Sequence, residues 1–589
     1  MQPQIYLNHI GFLCNAKKTF VVDDCSATRF EVQDMGIVET EALGDFENWK
    51  IVFEGQLEKS KTEMGNYLTG DFTRLNIPGI YRVLFPEVDT RSFQFIISDG
   101  AFTLLPRMFL DFVHNWRSGD FENEFRGPSH LDDGIRSDTG EQLDVSGGWY
   151  DAGDLRKWMT TANMPALGFL NYYEKIYPDW NHFSHESIAD NDLITETTWG
   201  ITFILKMQEK NTGMFFEEIG GGGYGRQLEG MTWWYENHSG CMADNSENRF
   251  TDNIPNSGDE RKIRVDYNPI VQYTSIYILL RAARQLQKYD PDLAEQCIAG
   301  AKAGWEFTCQ KAVSDQMHTW TATISWRALA SIEMNRHDLI EKDDVDIIIT
   351  DLLSLQDKDS GFWYMDQDKK DPYRGILHSA QPLIALAEYM RYYHDSSMYE
   401  SLIHSLNLCW DKYITKMIST NPFGFMPYGT WYSAATEEDH FRQLNDRFVF
   451  RFFMPDCSPQ RINHGLGGHW SSWAHAMVLI GKLLNDQKWL DAAWDQLYWL
   501  WGGNIKNSCF VTGIGYNNPM PHSRFLGTYP GGFSVGFRGN ARDEAVLDLD
   551  RRAEWSTTEY WNIPLANSMM ALAELLPGDV NNVRKIGKA

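Results

Sequence analysis

The chain has 589 residues, 43% hydrophobic and 23% charged, with a formal net charge of −27. That length exceeds one ordinary domain. The charge excludes a nucleic-acid surface, which needs clustered Lys and Arg, and no run approaches the roughly 18 apolar residues of a membrane span.

An acidic chain suits a neutral or cationic substrate, and 22 Trp residues suit either a large aromatic core or stacking platforms for sugar rings. The opening segment, MQPQIYLNHIGFLCNAKK, lacks a basic stretch leading into a long apolar run and a small-residue cleavage site, so cytoplasmic residence is expected. Residues 1–98 carry IYLNHIGF, KKTFVVDD, WKIVFEGQ, GIYRVLF and SFQFIIS, short β-branched and aromatic runs broken by turn residues. They predict a small antiparallel β-sandwich. From Ala101 the period changes. Ile276, Leu279, Leu280, Ala283 and Leu286 share one helical face, as do Leu383, Leu386, Ala387 and Met390. The same periodicity predicts helices near 101–117, 157–177, 192–210, 268–289, 291–311, 318–335, 341–356, 377–394, 396–419, 467–486, 488–503 and 558–576. No fixed repeat of about 30–50 residues is present, which favours a closed ring of helical hairpins over an open solenoid. Cysteines 14, 25, 241, 297, 309, 409, 457 and 509 form no CxxC pair and are expected to be buried free thiols. Four long polar loops, near 118–156, 211–266, 420–466 and 504–557, interrupt the helices, and loops of that length commonly build binding surfaces.

The first loop closes with DVSGGWYDAGD, residues 144–154, and LRKWMTTANMPALGFL after it reads as helix. Asp154 is a favoured N-cap for that helix, with Gly147 and Gly148 as turn residues. Asp151, beside Trp149 and Tyr150, is not required by a cap. Capping and catalysis are compatible, because amide dipoles at a helix start hold a carboxylate ionised, as a general base must be. The last loop ends in RRAEWSTTEYWNIPL, where Glu559 is expected at a helix start amid Trp555, Tyr560 and Trp561. An aromatic setting desolvates a carboxyl group and raises its pKa, as a proton donor requires. Glu554 is the rival, and an ordinary surface glutamate in a first helical turn is the alternative. One carboxylate as base and one as acid are the working parts of glycoside hydrolysis, inverting at a separation of about 6.5–9.5 Å and retaining at about 5–5.5 Å.

Taken in order, these segments resemble glycoside hydrolase family 9, the inverting cellulase family whose catalytic domain is a barrel of six α-helical hairpins. NHIGFLCNAKK, GIYRVLF and SFQFIISDG are similar to the N-terminal immunoglobulin-like domain of many members. DVSGGWYDAGD matches the family signature. FVTGIGYNNPMPHSR resembles a later Val-Gly-x-Gly-x-Asn-x-Pro pattern ending in His-His-Arg, and WSTTEYWNIPL resembles the segment bearing the acid. The resemblance implies an immunoglobulin-like β-sandwich over 1–98 and an (α/α)6 barrel over 99–589. It implies Asp154 as general base, Asp151 orienting the water and Glu559 as general acid. His522 and Arg524 would bond the sugar, and Trp149, Tyr150, Trp555 and Tyr560 would lie against it. No cofactor is needed by such a mechanism. ADNSENRFTDN lacks the Gly and acidic spacing of a calcium loop, so no metal is expected.

The chain departs from the pattern in three places. Ser523 stands where many members have a second His, Leu155 replaces a common polar residue, and the stretch between Glu559 and WNIPL is a few residues short. These changes surround the substrate and turn the expectation away from plain cellulose. Asp132, Asp133, Asp138, Glu141 and Asp144 crowd the loop before the signature, either as a solvated surface or as a partner for the ammonium of a 2-amino sugar. Intracellular relatives resembling this chain act as exo-β-glucosaminidases on chitosan oligosaccharides, which is the expected activity, ahead of a cellodextrinase or endoglucanase. A non-catalytic sugar-binding protein on the same barrel is the alternative of a different class. The expected partner is an oligosaccharide, with no nucleic acid and no membrane.

Overall fold

The computed structural model describes residues 2–35, 49–124, 126–176, 190–220, 249–432, 439–455, 464–525, 527–549 and 555–576. Alternating apolar residues build the N-terminal part as two packed antiparallel sheets. One joins β1 (Ile5–Tyr6), β2 (Thr19–Asp23), β6 (Gly65–Asp71) and β5 (Glu58–Thr62) in that order. The other runs β4 (Lys50–Gln56), β3 (Arg29–Asp34), β7 (Gly79–Phe85), β8 (Thr90–Arg91), with β9 (Phe95–Ile97) also on β7. Phe20, Val22, Phe30, Val32, Val83 and Phe85 face inward at 2% exposure or less, and Phe20 meets Phe30 edge-to-face at 5.0 Å. This is the expected sandwich. Four strands escaped the sequence reading: β3, β5, β6 and the two-residue β8. EKSKT of β5 is polar throughout, a solvated edge, and GNYLTGD of β6 carries two glycines. RFEVQD of β3 offers only two apolar positions, both buried.

After β9 the chain is helical. Among the described residues twelve helices of 11 residues or more follow: α1 (Leu104–Asn115), α2 (Met164–Ile176), α3 (Asp190–Lys206), α4 (Pro269–Leu286), α5 (Pro291–Ala312), α6 (Thr321–Arg336), α7 (Lys342–Ser354), α8 (Gln381–Tyr392), α9 (Tyr399–Cys409), α10 (Gly467–Leu484), α11 (Gln487–Leu500) and α12 (Asn562–Leu575). Each of the twelve predicted helices has its counterpart. The even-numbered helices contact one another in the closed circuit α2, α4, α6, α8, α10, α12 and back to α2. The odd-numbered helices pack outside them: α5 on α4, α7 on α6, α11 on α10. Inner helices are buried nearly all round, α10 at every position from Gly467 to Gly481, whereas outer α5 buries one stripe that includes Leu293, Cys297, Gly300, Gly304 and Thr308. The six inner helices therefore share one direction, and the segments that precede them meet at one rim.

Two boundaries differ from expectation. The segment 157–177 opens with a two-residue strand, Lys157–Trp158, and a short helical turn, Met159–Ala162, before α2. The helix expected over 396–419 widens to π geometry at Trp410–Ile414 beyond α9. Of the described cysteines, four are buried, Cys25 is half-buried and Cys309 is exposed, a correction to uniform burial; Cys241 and Cys457 lie outside the described residues.

Candidate active site

A small sheet at the rim holds the DVSGGWYDAGD turn. Its strands are β10 (Ile135–Arg136), β11 (Lys157–Trp158), β12 (Glu218–Ile219) and β13 (Lys262–Arg264), paired in the order β10, β13, β12, β11. Because Lys157–Trp158 pairs with Glu218–Ile219, no helix follows Asp154 directly. The expected N-cap role of Asp154 is thus corrected. Its Oδ1 accepts the amide of Arg156 at 2.9 Å, a local turn. Asp151 is held by the strand and the short turn beyond it: Trp158 N donates to its Oδ1 at 3.3 Å and the Thr161 hydroxyl to its Oδ2 at 3.0 Å.

Glu559 lies in an extended segment three residues before α12, not at a helix start as expected. His522 pairs with Glu559 and Ala152 with Trp561 as β-bridges, so the signature turn and the 522–524 segment flank the 559–561 strand. His522 N donates to Thr558 O at 3.1 Å, Arg524 N to Gly153 O at 2.7 Å, and the Asn562 side chain to Tyr150 O at 2.9 Å. Gly153 makes the close approach possible, since a Cβ there would sit 2.1 Å from His522 O and 3.0 Å from Glu559 Cγ. The Glu559 carboxylate accepts the amides of Gly153 and Asp154. Glu554, the rival acid, lies outside the described residues.

Burial pushes the Glu559 carboxyl well above the usual range, and the charges of Asp154 and Asp151 push it further. Asp151 is likewise well above it, from burial and then Asp154. Asp154 is raised by burial too, but the Arg156 amide, the charges of Arg156 and His522, and Arg261 all favour its anion. Asp154 is half-buried, whereas Asp151 and Glu559 are 4% and 8% exposed. The arrangement therefore sets a carboxyl pushed well above the usual range beside a more accessible carboxylate whose anion the nearby cations favour, the difference in environment that an acid and a base need. Arg156 is a residue the sequence reading missed. Glu218 anchors its guanidinium, with Nε at 2.8 Å, and the group lies 4.9 Å over the Trp158 ring.

The profile of glycosyl hydrolase family 9 matches residues 103–530. The chain belongs to glycosyl hydrolase family 9. Endoglucanase D of Acetivibrio thermocellus is 22% identical over 628 aligned positions, covering 99% of this chain and 83% of that protein. A cellodextrinase of Butyrivibrio fibrisolvens is 26% identical over 225 residues, 35% of this chain and 38% of the relative's length. The fold is that of a thermostable endoglucanase from Alicyclobacillus acidocaldarius, at a TM-score of 0.68 and 17% identity over 97% of this chain and 99% of that one. A Bacteroides ovatus GH9 structure superposes at 0.66, also with 17% identity, over 97% and 99%. The chain is accordingly a glycoside hydrolase with a β-sandwich ahead of a helical catalytic domain.

Within this family 9 site, three residues expected against the sugar are core instead. Trp149 and Tyr560 are 1% and 0% exposed, and Tyr150 is 0%. Trp149 Nε1 donates to Glu196 at 2.8 Å, the Tyr150 hydroxyl bonds Ser129 and His130, and the Tyr560 hydroxyl accepts Tyr529 N at 3.0 Å. These rings hold the turn from behind and offer no face to a ligand. Trp555 is 41% exposed, Arg524 exposed and His522 half-buried, so these three keep solvent-facing surface. Buried His464 meets Trp561 at 4.7 Å and Trp555 at 5.7 Å, both with tilted rings, which places His464, just before α10, on the same rim. The acidic run also resolves. Asp133 is neutralised by Arg261 and Lys157, Asp138 by Arg136 and Asp144 by Lys206; Asp132 is buried and Glu141 exposed.

Proposed function

We propose that the chain hydrolyses β-1,4-linked gluco-oligosaccharides with inversion at the anomeric carbon. Asp154, ionised, takes a proton from the attacking water; Asp151, fixed by Trp158 N and the Thr161 hydroxyl, orients that water; Glu559, protonated, gives its proton to the leaving glycosidic oxygen. His522 and Arg524 hydrogen-bond the sugar, and Trp555 offers the ring face for stacking. The observation that carries this reading is the meeting of the 151–154 turn with Glu559, where Arg156, His522 and Arg261 all favour the Asp154 anion while the neighbouring anions push the Glu559 carboxyl up.

The glucan substrate rests on relatives named as an endoglucanase and a cellodextrinase. The exo-β-glucosaminidase expectation offered an anion from the 132–144 run as a partner for the ammonium, and three of those five acids, Asp133, Asp138 and Asp144, already bind cations of the chain. Side-by-side hydrolysis of cellotetraose and its glucosamine counterpart, followed by NMR of the first product formed, tests both parts. The expected result is faster cleavage of the glucan with the α-anomer appearing first. A β-anomer as first product excludes the base role of Asp154, and preferential cleavage of the amino sugar restores the glucosaminidase reading.

A further inference from the structure

Lys157 stands three residues past Asp154, in β11, and its side chain is wholly buried. It reaches back to the arm that leads into the signature turn: Nζ donates to Val145 O and Gly147 O, each at 3.1 Å, and pairs with Asp133 at 2.7 Å. An ammonium has three protons, and these three partners use them all. Arg261, just before β13 and equally buried, grips the other arm. Its Nε and one terminal nitrogen meet the two oxygens of Asp133 at 2.8 and 2.5 Å, while the other terminal nitrogen donates to Leu155 O, next to Asp154. Asp133, buried like its partners, is the hub, and its own carbonyl accepts Val145 N at 2.9 Å. One cation would neutralise that carboxylate, and it has two. Both also donate to the main chain around the turn.

We propose that Lys157, Asp133 and Arg261 are positioning residues for the reaction, a buried clamp that holds the incoming arm of the signature turn, Val145 and Gly147, against the outgoing arm, Leu155 and Lys157, and so fixes where the Asp151 and Asp154 carboxylates lie. The clamp serves the reaction through the base role proposed for Asp154, on which this assignment rests. The turn needs an external hold. Gly147 and Gly148, at φ 99° and 69°, have no side chains with which to anchor it, and moving a reacting group by about 1 Å costs on the order of 10²-fold in rate. The clamp also supplies charge. Asp154 is faced by the carboxyl groups of Asp151 and Glu559 and by Arg156, His522 and Arg261. Arg261 is faced in turn by Asp132, Asp133 and Tyr150, and Lys157 by Asp133, Arg261 and Lys206. Arg261 thus adds a positive charge that favours the Asp154 anion. A reading along the chain misses the clamp because Asp133, Lys157 and Arg261 come from three separate segments that meet only in the rim sheet.

The test compares Lys157→Met, Arg261→Met and Arg261→Lys with the unmodified full chain, by steady-state kinetics across pH and by thermal melting. Each Met variant still leaves Asp133 one cation, so no buried anion is stranded. Lys157→Met is expected to lower kcat by about 10–100-fold while KM changes by less than about threefold. Arg261→Met is expected to lose as much and also to move the acidic limb of kcat/KM to higher pH, because a cation favouring the Asp154 anion is gone. Arg261→Lys keeps the charge and loses the paired bonds, so it is expected to lose kcat with that limb nearly in place; it carries the decision if a Met variant fails to fold. A lower Tm with kcat and the acidic limb both unchanged makes the cluster purely structural and overturns the inference. Asp154→Asn separates that failure from failure of the base role. Full turnover in Asp154→Asn removes the base role, whereas an inactive Asp154→Asn beside fully active clamp variants removes the clamp alone.

Discussion

Asp154 and Glu559 are neighbouring carboxyl groups asked to do opposite things, and the difference is made by what surrounds each. Glu559 has two amides and two anions beside it, and burial with the anions outweighs the amides. Asp154 has Arg156, His522 and Arg261. Replacing Asp154 by Asn keeps the turn's size and its bond from Arg156 N but removes the base, so kcat is expected to fall by about 10²–10⁴-fold with KM little changed. Steady-state kinetics on a soluble oligosaccharide checks this, and an undiminished kcat removes Asp154 from the role. Arg156 is separable from the chemistry. In Arg156→Gln a cation that favours the Asp154 anion is gone, so the folded pKa of Asp154 rises and the base titrates later. The acidic limb of kcat/KM against pH is expected to move to higher pH while the basic limb, set by the acid, moves less. An unmoved acidic limb would show that Arg156 only packs.

At the scale of elements, the rim is a set of short pairings that periodicity does not reveal. The twelve helices were legible because each needs an apolar stripe to bury, and runs such as Ile276 to Leu286 state that stripe directly. The four two- and three-residue strands of the rim sheet carry no such pattern; LRKW after Asp154 has helix-compatible residues, and only pairing with Glu218–Ile219 makes it a strand. Aromatic side chains mislead for a related reason. Trp149, Tyr150 and Tyr560 sit in loops beside the acids, and nothing local says whether a ring turns toward a ligand or into the core; Glu196, His130 and Tyr529, which capture them, are distant in sequence. The carboxylates were legible as a motif, their partners were not. Gly153 shows the tolerance of this assembly. Alanine there drives a methyl into the His522 carbonyl and the Glu559 side chain, both backbone-anchored, so the turn must swing away from the strand it touches. Gly153→Ala is expected to lower kcat at least tenfold with a much smaller change in Tm, measured by kinetics and melting on the same sample. Equal activity would mean that the turn relaxes without moving the acids.

Across the whole molecule, the sandwich supports the loop that carries His522. His9 N donates to Trp501 O and its ring accepts Tyr516 N at 3.1 Å, Asn507 reaches Ile5 O, and Tyr498 reaches Lys17 O at 2.7 Å. The charged part of this contact is Lys17 Nζ against both oxygens of Asp495, at 2.8 and 2.7 Å, with the Asp495 side chain only 11% exposed. The two groups titrate in the same direction for different reasons. Asp495 raises the Lys17 ammonium, whereas burial raises the Asp495 carboxyl despite Lys17 pulling it down. Lys17→Met therefore leaves a buried anion without its cation, expected to cost on the order of 2 kcal/mol, less than a fully enclosed pair because the lysine keeps 27% of its side chain in water. The pH dependence has a definite sign. A carboxyl whose folded pKa lies above its unfolded one stabilises the fold below the unfolded pKa and loses that contribution as pH rises through the folded value. Without Lys17 the folded pKa of Asp495 climbs further, so the deficit in Tm relative to the unmodified chain is expected to be largest near neutral pH and to shrink as acid returns the proton to Asp495. Melting both proteins at neutral and mildly acidic pH decides it: a deficit of equal size at both means that the lysine contributes packing and not charge.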